Sequence, residues 1–196
     1  MTDESAKHFV HRLEGFSDIV IGFSLAQLGA SLVIPARTMD LVEHPGWLVG
    51  FLFAFAVVCS MWFFHHRRFS RFFVPKTLPI ILNFIWLAVV VLLVYTTELY
   101  VRTFHDIVAT RMYFCAYTFA YGILGVQYLI ANTKESLRAS IFMFLWTAPF
   151  LICLLATLFL SPDVVNVVTS FAFTGTALAF IFLARRFPRE PAANRP

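Results

Sequence analysis

The sequence predicts an all-α membrane protein with six transmembrane helices. Three observations lead there. Hydrophobic residues make up 60% of the 196-residue chain, charged residues only 13%, and 24 residues are phenylalanine; a water-soluble domain does not need so many long apolar runs. The apolar residues gather in continuous stretches at 19–36, 47–64, 77–97, 112–131, 139–160 and 164–184, each close to the ~20 residues that cross about 30 Å of hydrocarbon. None of these stretches contains Lys, Arg, Asp or Glu. In lipid a backbone must satisfy its own hydrogen bonds, as helices or as a closed barrel. Continuous rather than alternating apolarity selects helices.

Residues 1–10 are polar and offer no apolar core for a cleavable signal. Pro35, Pro45 and Gly46 mark the first connection. A basic segment, His65 to Lys76, joins the second and third stretches. Asn132-Thr133-Lys134-Glu135 is a polar break that opens the fifth with a capping-type start. Ser161-Pro162-Asp163 reads as a tight turn into the sixth. No internal repeat is visible, so the chain reads as one transmembrane domain, 1–187, with a disordered tail at 188–196 that carries Pro188 and Pro191.

Basic residues set the orientation. With the N-terminus in the cytoplasm, Lys7, Arg12, Arg67, Arg68, Arg71, Lys76, Lys134, Arg138, Arg185, Arg186, Arg189 and Arg195 lie inside, and only Arg37, Arg102 and Arg111 lie outside. Both termini are therefore expected to be cytoplasmic. The net charge of +4 is this inside bias; no nucleic-acid module is present. Cys59, Cys115 and Cys153 all fall within apolar stretches and form no C-x-x-C, which argues for packing roles rather than disulfides.

On a helical wheel the first stretch separates into stripes. Phe16, Phe23, Gln27, Ala30 and Ile34 share a front. Gly15, Gly22, Ala26 and Gly29 lie on one flank and Ser17, Ser24 and Ser31 on the other, with Leu25, Leu28 and Leu32 opposite. Small residues let helix backbones approach in a membrane, so the stripes fit ordinary packing within a subunit and also fit a helix arranged around a symmetry axis. Gln27 falls near the bilayer midplane, where a lone amide needs partners or water.

A polar cluster stands where this stretch begins. Arg12 and Asp18 are about 240° apart around a helix and cannot pair with each other. An antiparallel second helix brings Trp62, His65 and His66 to the depth of Asp18, and the third brings Asn83. These side chains are expected to satisfy Asp18, Ser17 and Arg12 as a lock between helices; a proton relay is the alternative, since Asp/His chains serve that purpose in membranes. Metal binding by His65-His66 is disfavoured, because adjacent helical residues diverge and no further ligands join them. Gln127, Asn166, Gly122-x-x-Gly125 and Gly175 read as packing devices. There is no Walker loop, zinc signature, nucleophile elbow or catalytic carboxylate pair, so no enzyme and no cofactor are expected.

Arg12-x-x-x-Phe16-Ser17-Asp18 resembles the R-x-x-x-F-S-D signature of the transmembrane protein 175 family, lysosomal and prokaryotic potassium channels. Trp62-x-x-His65-x-x-x-Phe69 is similar to the family's W-x-x-H-x-x-x-F, and Asn83 to its third-helix asparagine. These motifs cover residues 12–87; the rest matches in span count and spacing. The resemblance implies a homotetramer of six-helix subunits in a lipid bilayer, with the first helix lining a central pore. It implies a hydrophobic constriction at Phe23, followed by layers at Gln27 and Ala30. Arg12, Phe16, Ser17, Asp18, Trp62, His65 and Asn83 are then motif and inter-helix lock residues rather than ion ligands. No T-V-G-Y-G filter occurs in the chain. Three positions depart from the family: Phe23 stands where isoleucine or leucine is usual, Ala26 where threonine is usual, and Gln27 where an aliphatic residue is usual.

The function this implies is a potassium-permeable cation channel in a bacterial cell (inner) membrane, with no cofactor and a permeant monovalent cation. Two alternatives stay open on the sequence: a proton-conducting or proton-coupled carrier using Asp18 and His65, and a non-conducting membrane scaffold.

Overall fold

The apolar runs form helices, and the helices reach past them into the polar flanks. The computed structural model of the chain describes residues 3–30, 46–103, 106–161 and 164–165. Within them lie α1 (Asp3–Ala30), α2 (Gly46–Phe72), α3 (Thr77–Arg102), α4 (Ile107–Ile130) and α5 (Lys134–Ala156). α1 starts at Asp3, well before the apolar stretch at Ile19, so the polar cluster sits on helix rather than in a connection. Residues 166–184 of the sixth predicted stretch (164–184), residues 31–45, which hold the end of the first stretch and most of the first connection, and the tail at 188–196 lie outside the described residues.

Local chemistry sets the helix ends. Asp106 caps α4 by accepting the Val108 N–H at 2.7 Å. After α4 the chain turns through Asn132, whose φ of 50° is left-handed, a conformation asparagine tolerates. Thr133 then opens α5: its hydroxyl accepts the Ser136 N–H and the Ser136 hydroxyl accepts the Thr133 N–H, a reciprocal capping box. The far end of α5 is closed by Arg111 of α4, whose guanidinium donates to the Thr157 carbonyl at 2.9 Å; a cation suits a helix C-terminus.

α3, α4 and α5 are each long and apolar enough to cross a membrane. Their outward faces are apolar as well: Leu92, Phe119, Leu145 and Ile152 are each more than half exposed. Such a surface suits lipid rather than water. The interior is aromatic. Tyr113, Phe114, Tyr117, Tyr121 and Tyr128 line the buried side of α4, with Trp86 of α3 and Phe150 of α5 fully or almost fully covered. Tyr117 stacks on Phe150 at 4.8 Å and Tyr100 on Tyr113 at 4.5 Å.

α4 and α5 pack most intimately, α3 lies on α4, and α1 rests against α2 and α3. At Gly125 a Cβ would come within 3.1 Å of the Phe144 ring and 3.3 Å of Met143 Cβ, so the close approach of α4 and α5 depends on its missing side chain. Ser140 seals that crossing by donating to the Gly125 carbonyl at 2.9 Å. At Gly122, by contrast, a Cβ would meet nothing within 4 Å. None of the three cysteines forms a disulfide; Cys153 is buried and the other two are partly covered.

Candidate functional site

α1 has one fastened side and one open side. Leu13, Ser17, Ile21, Ser24 and Leu28 are buried, a stripe that follows i, i+4, i+8, i+11 and i+15 spacing. Ser17 and Ser24 of the sequence wheel thus face the subunit's own core. Ser17 and Ser24 also donate back to the Leu13 and Val20 carbonyls, each at 2.9 Å. Phe16, Phe23, Gln27 and Ala30 are exposed, Phe23 at 74%. The glycine flank is equally free: a Cβ at Gly15, Gly22 or Gly29 would meet nothing within 4 Å.

The fastening centres on Asn83 of α3, fully buried. Its Oδ1 accepts from His65 Nε2 at 2.8 Å and from Arg68 Nη2 at 2.9 Å. Its Nδ2 donates to Ser17 Oγ at 3.1 Å, and Ser17 donates on to Leu13. Three helices therefore meet in one polar knot. His65 is held flat against Trp86, ring centroids 4.4 Å apart, and Trp86 itself donates to the Ala120 carbonyl of α4 at 3.0 Å. Arg68 is 2% exposed, and its guanidinium lies over the Phe69 and Phe73 rings at 4.7 and 5.0 Å. Among the described residues no carboxylate forms an ion pair with it. Cation–π contacts and the Asn83 oxygen supply the stabilisation that burial takes away.

A second, wetter group flanks the knot. Trp62 Nε1 donates to Asp18 Oδ1 at 2.8 Å, and Trp62 stacks on His66. His66 Nδ1 stands 2.9 Å from Glu14 Oε1, with the His66 side chain half exposed. A pair half open to solvent on its His66 side adds modest stability, but it sets α1 beside α2. Phe16 contacts Phe84 of α3, ring centroids 5.9 Å apart.

The structure thus brings Ser17, His65 and Asn83 into one group and Asp18 and Trp62 into another. No hydrogen bond among the described residues joins Asp18 to His65, so the pair singled out for a proton relay is not in direct contact. Arg12 joins neither group. It is exposed, because its helical position places it on the open side of α1, in line with Phe23 and Ala30. The buried cation at the knot is Arg68, which the sequence reading counted only as one more inside charge. Its register was the missed signal. Ala54, Val58, Met61, His65 and Arg68 alternate steps of four and three and are all buried, so Arg68 continues the packing seam of α2. Gln127 is also buried and donates to the Leu82 carbonyl at 2.8 Å, tying α4 to α3. Among the described residues no group of three or more potential metal ligands is present.

A family model described as the endosomal/lysosomal potassium channel TMEM175 matches residues 12–94, from the start of the motif region on α1 to the middle of α3. No curated protein matches the sequence. Among solved structures, the crystal structure of a lysosomal potassium-selective channel TMEM175 homolog from Chamaesiphon minutus is similar with a TM-score of 0.74 and 20% identity, over 88% of this chain and 98% of that one. The crystal structure of the potassium channel MtTMEM175 T38A variant, in complex with a nanobody–MBP fusion, is similar with a TM-score of 0.62 and 19% identity, over 89% and 93%. The resemblance drawn from the sequence therefore stands: the matching family model and the structural neighbours are TMEM175, and the chain has the all-helical fold of those channel homologues.

Proposed function

We propose that this chain is one subunit of a potassium-permeable cation channel, not an enzyme, in a bacterial cell (inner) membrane. Six helices per subunit, with both termini in the cytoplasm, assemble as a homotetramer in which α1 lines a central pore. Phe23 forms a hydrophobic constriction, with Gln27 and Ala30 as the next layers and no T-V-G-Y-G filter. The family model over α1–α3 and the potassium channels of the same fold support this reading. The observation that carries it is the division of α1: hydrogen bonds fasten one face to its own subunit, and the opposite face, with Phe23 at 74% exposure, meets no partner from Phe23 onward among the described residues. Glycines with open space beside them let a neighbouring subunit approach that helix closely. Four phenylalanines at one level narrow and dry a conduit, which can then gate by dewetting. Four glutamines one turn on supply amide oxygens to a cation. Glu14 and Asp18 at the mouth offset the bases around them.

Potassium flux into liposomes tests this. Phe23→Ala is expected to raise the flux several-fold, and an unchanged rate removes Phe23 as the constriction. The native mass in detergent is expected near four times 22.4 kDa. Uptake driven by a pH gradient and lost in Asp18→Asn with the assembly intact would favour a carrier. Well-folded tetramers that pass no monovalent ion would favour a scaffold.

A further inference from the structure

The knot at the foot of α1 is made almost entirely of groups that can hydrogen-bond in either sense. A neutral imidazole nitrogen is a donor or an acceptor according to tautomer, a carboxamide presents either end, and a hydroxyl does both. A chain of histidine, asparagine and serine can therefore run in two directions. In one, His65 Nε2–H donates to Asn83 Oδ1, Asn83 Nδ2 donates to Ser17, and the Ser17 hydroxyl is free to reach Leu13. In the other, Ser17 donates to Asn83 Oδ1, the amide is turned over, and Asn83 Nδ2 donates to a bare His65 Nε2. The observed contacts are those of the first direction.

His65 does not choose that direction by itself. A ring tautomer is commonly set by the bond that the other nitrogen makes, and His65 Nδ1 has no hydrogen-bond partner among the described residues. Arg68 is different in kind. A guanidinium has donors and no acceptor, and Nη2 points at the Asn83 side-chain oxygen from 2.9 Å. Turning the amide would set an NH2 group against the guanidinium, both donating, in a site that is 2% exposed at Arg68 and 0% at Asn83. An unsatisfied buried donor is costly, and it would here stand beside a charge.

We infer that Arg68 is the positioning residue that sets the polarity of this hydrogen-bond chain: it holds the Asn83 oxygen toward α2, the His65 proton on Nε2, and the Asn83 amide nitrogen toward Ser17 of α1. Arg68 touches no atom of α1 in the chain of bonds and acts on it through Asn83. The seating of α1 is thereby single-valued. If α1 lines a pore, which is the reading proposed above, Arg68 also fixes from behind the angle at which Phe23 faces that pore.

The tautomer of His65 is the direct readout, by nitrogen-15 NMR of histidine-labelled full-length protein in lipid, with assignment by His65→Gln. Wild type is expected to show only the neutral ring protonated on Nε2. Arg68→Met keeps much of the side-chain length but removes the donors, and a second His65 population protonated on Nδ1 is expected. Arg68→Lys restores a donor that cannot accept and is expected to restore the single tautomer; a packing role would instead favour Met over Lys. Ser17→Ala removes the far end of the chain and is expected to leave the tautomer unchanged, a result that does not require Arg68→Met to fold. The inference is overturned by an Nδ1-protonated or doubly protonated ring in wild type, by mixed tautomers in Ser17→Ala, or by a single Nε2–H tautomer in Arg68→Met. Potassium flux of the same variants separates the two claims: a tautomer change with no flux in any protein, wild type included, upholds the role of Arg68 and removes the channel.

Discussion

The foot of α1 and the α4–α5 pair hold helices together by opposite means. α4 and α5 meet over a broad surface, with Gly125 against Phe144 and Met143 and tyrosines stacked on Phe150. α1 is held at its foot by a few directed bonds to Asn83 and Trp62. Lipid tails are as apolar as leucine, so burial alone does little to join helices in a membrane. Close packing works where two helices can give whole faces to one another. A helix that must keep a face free has less surface to give, and a few directional bonds fix its angle with less contact.

Asn83→Leu breaks the comparison hardest. It removes the one oxygen that both Arg68 and His65 use and leaves a buried cation without its acceptor; an unsatisfied buried donor costs about 1–3 kcal/mol, and more when it is charged. Size-exclusion chromatography and thermal unfolding in detergent are expected to show little folded protein, and a stable variant would mean that Arg68 finds another acceptor. Gly125→Val attacks the other region. Overpacking of a tight interface costs about 1–3 kcal/mol, so the unfolding midpoint falls, yet potassium flux per folded molecule is expected to stay near wild type because α1 is untouched. A flux loss as large as the stability loss would show that the two regions are not separable. Trp62→Phe is the smallest. It removes one half-exposed bond to Asp18, about 0.5–1.5 kcal/mol at most, and a small drop in midpoint is expected. A drop as large as that of Asn83→Leu would shift the weight of the fastening from the knot to the Asp18 side.

Much of the fold could be read from the chain because the signals are local. Uninterrupted apolar runs locate helices, Asn132-Thr133 announces the α4–α5 turn, and Gly125 marks a close crossing. The site was only partly legible. Ser17, Asp18, Trp62, His65 and Asn83 could be matched by depth along the helices, but depth does not say which group meets which. The stripes of α1 were visible too, yet serine and glycine flanks look alike on a wheel; only neighbours show that Ser17 and Ser24 turn inward and that Gly15, Gly22 and Gly29 face open space.

The sequence by itself determined that this is a helical membrane protein, where the apolar part of each described helix lies, and that polar residues gather at the foot of the first. Those properties depend on hydrocarbon thickness and on helical period, which any stretch of chain carries within itself. The tertiary structure alone decided that Arg68 and not Arg12 is the buried charge, that Asp18 pairs with Trp62 while Asn83 takes Ser17, and which face of α1 is left free. Burial of a charge and choice of a hydrogen-bond partner depend on what three separate helices place within hydrogen-bonding distance, and no single segment encodes that distance.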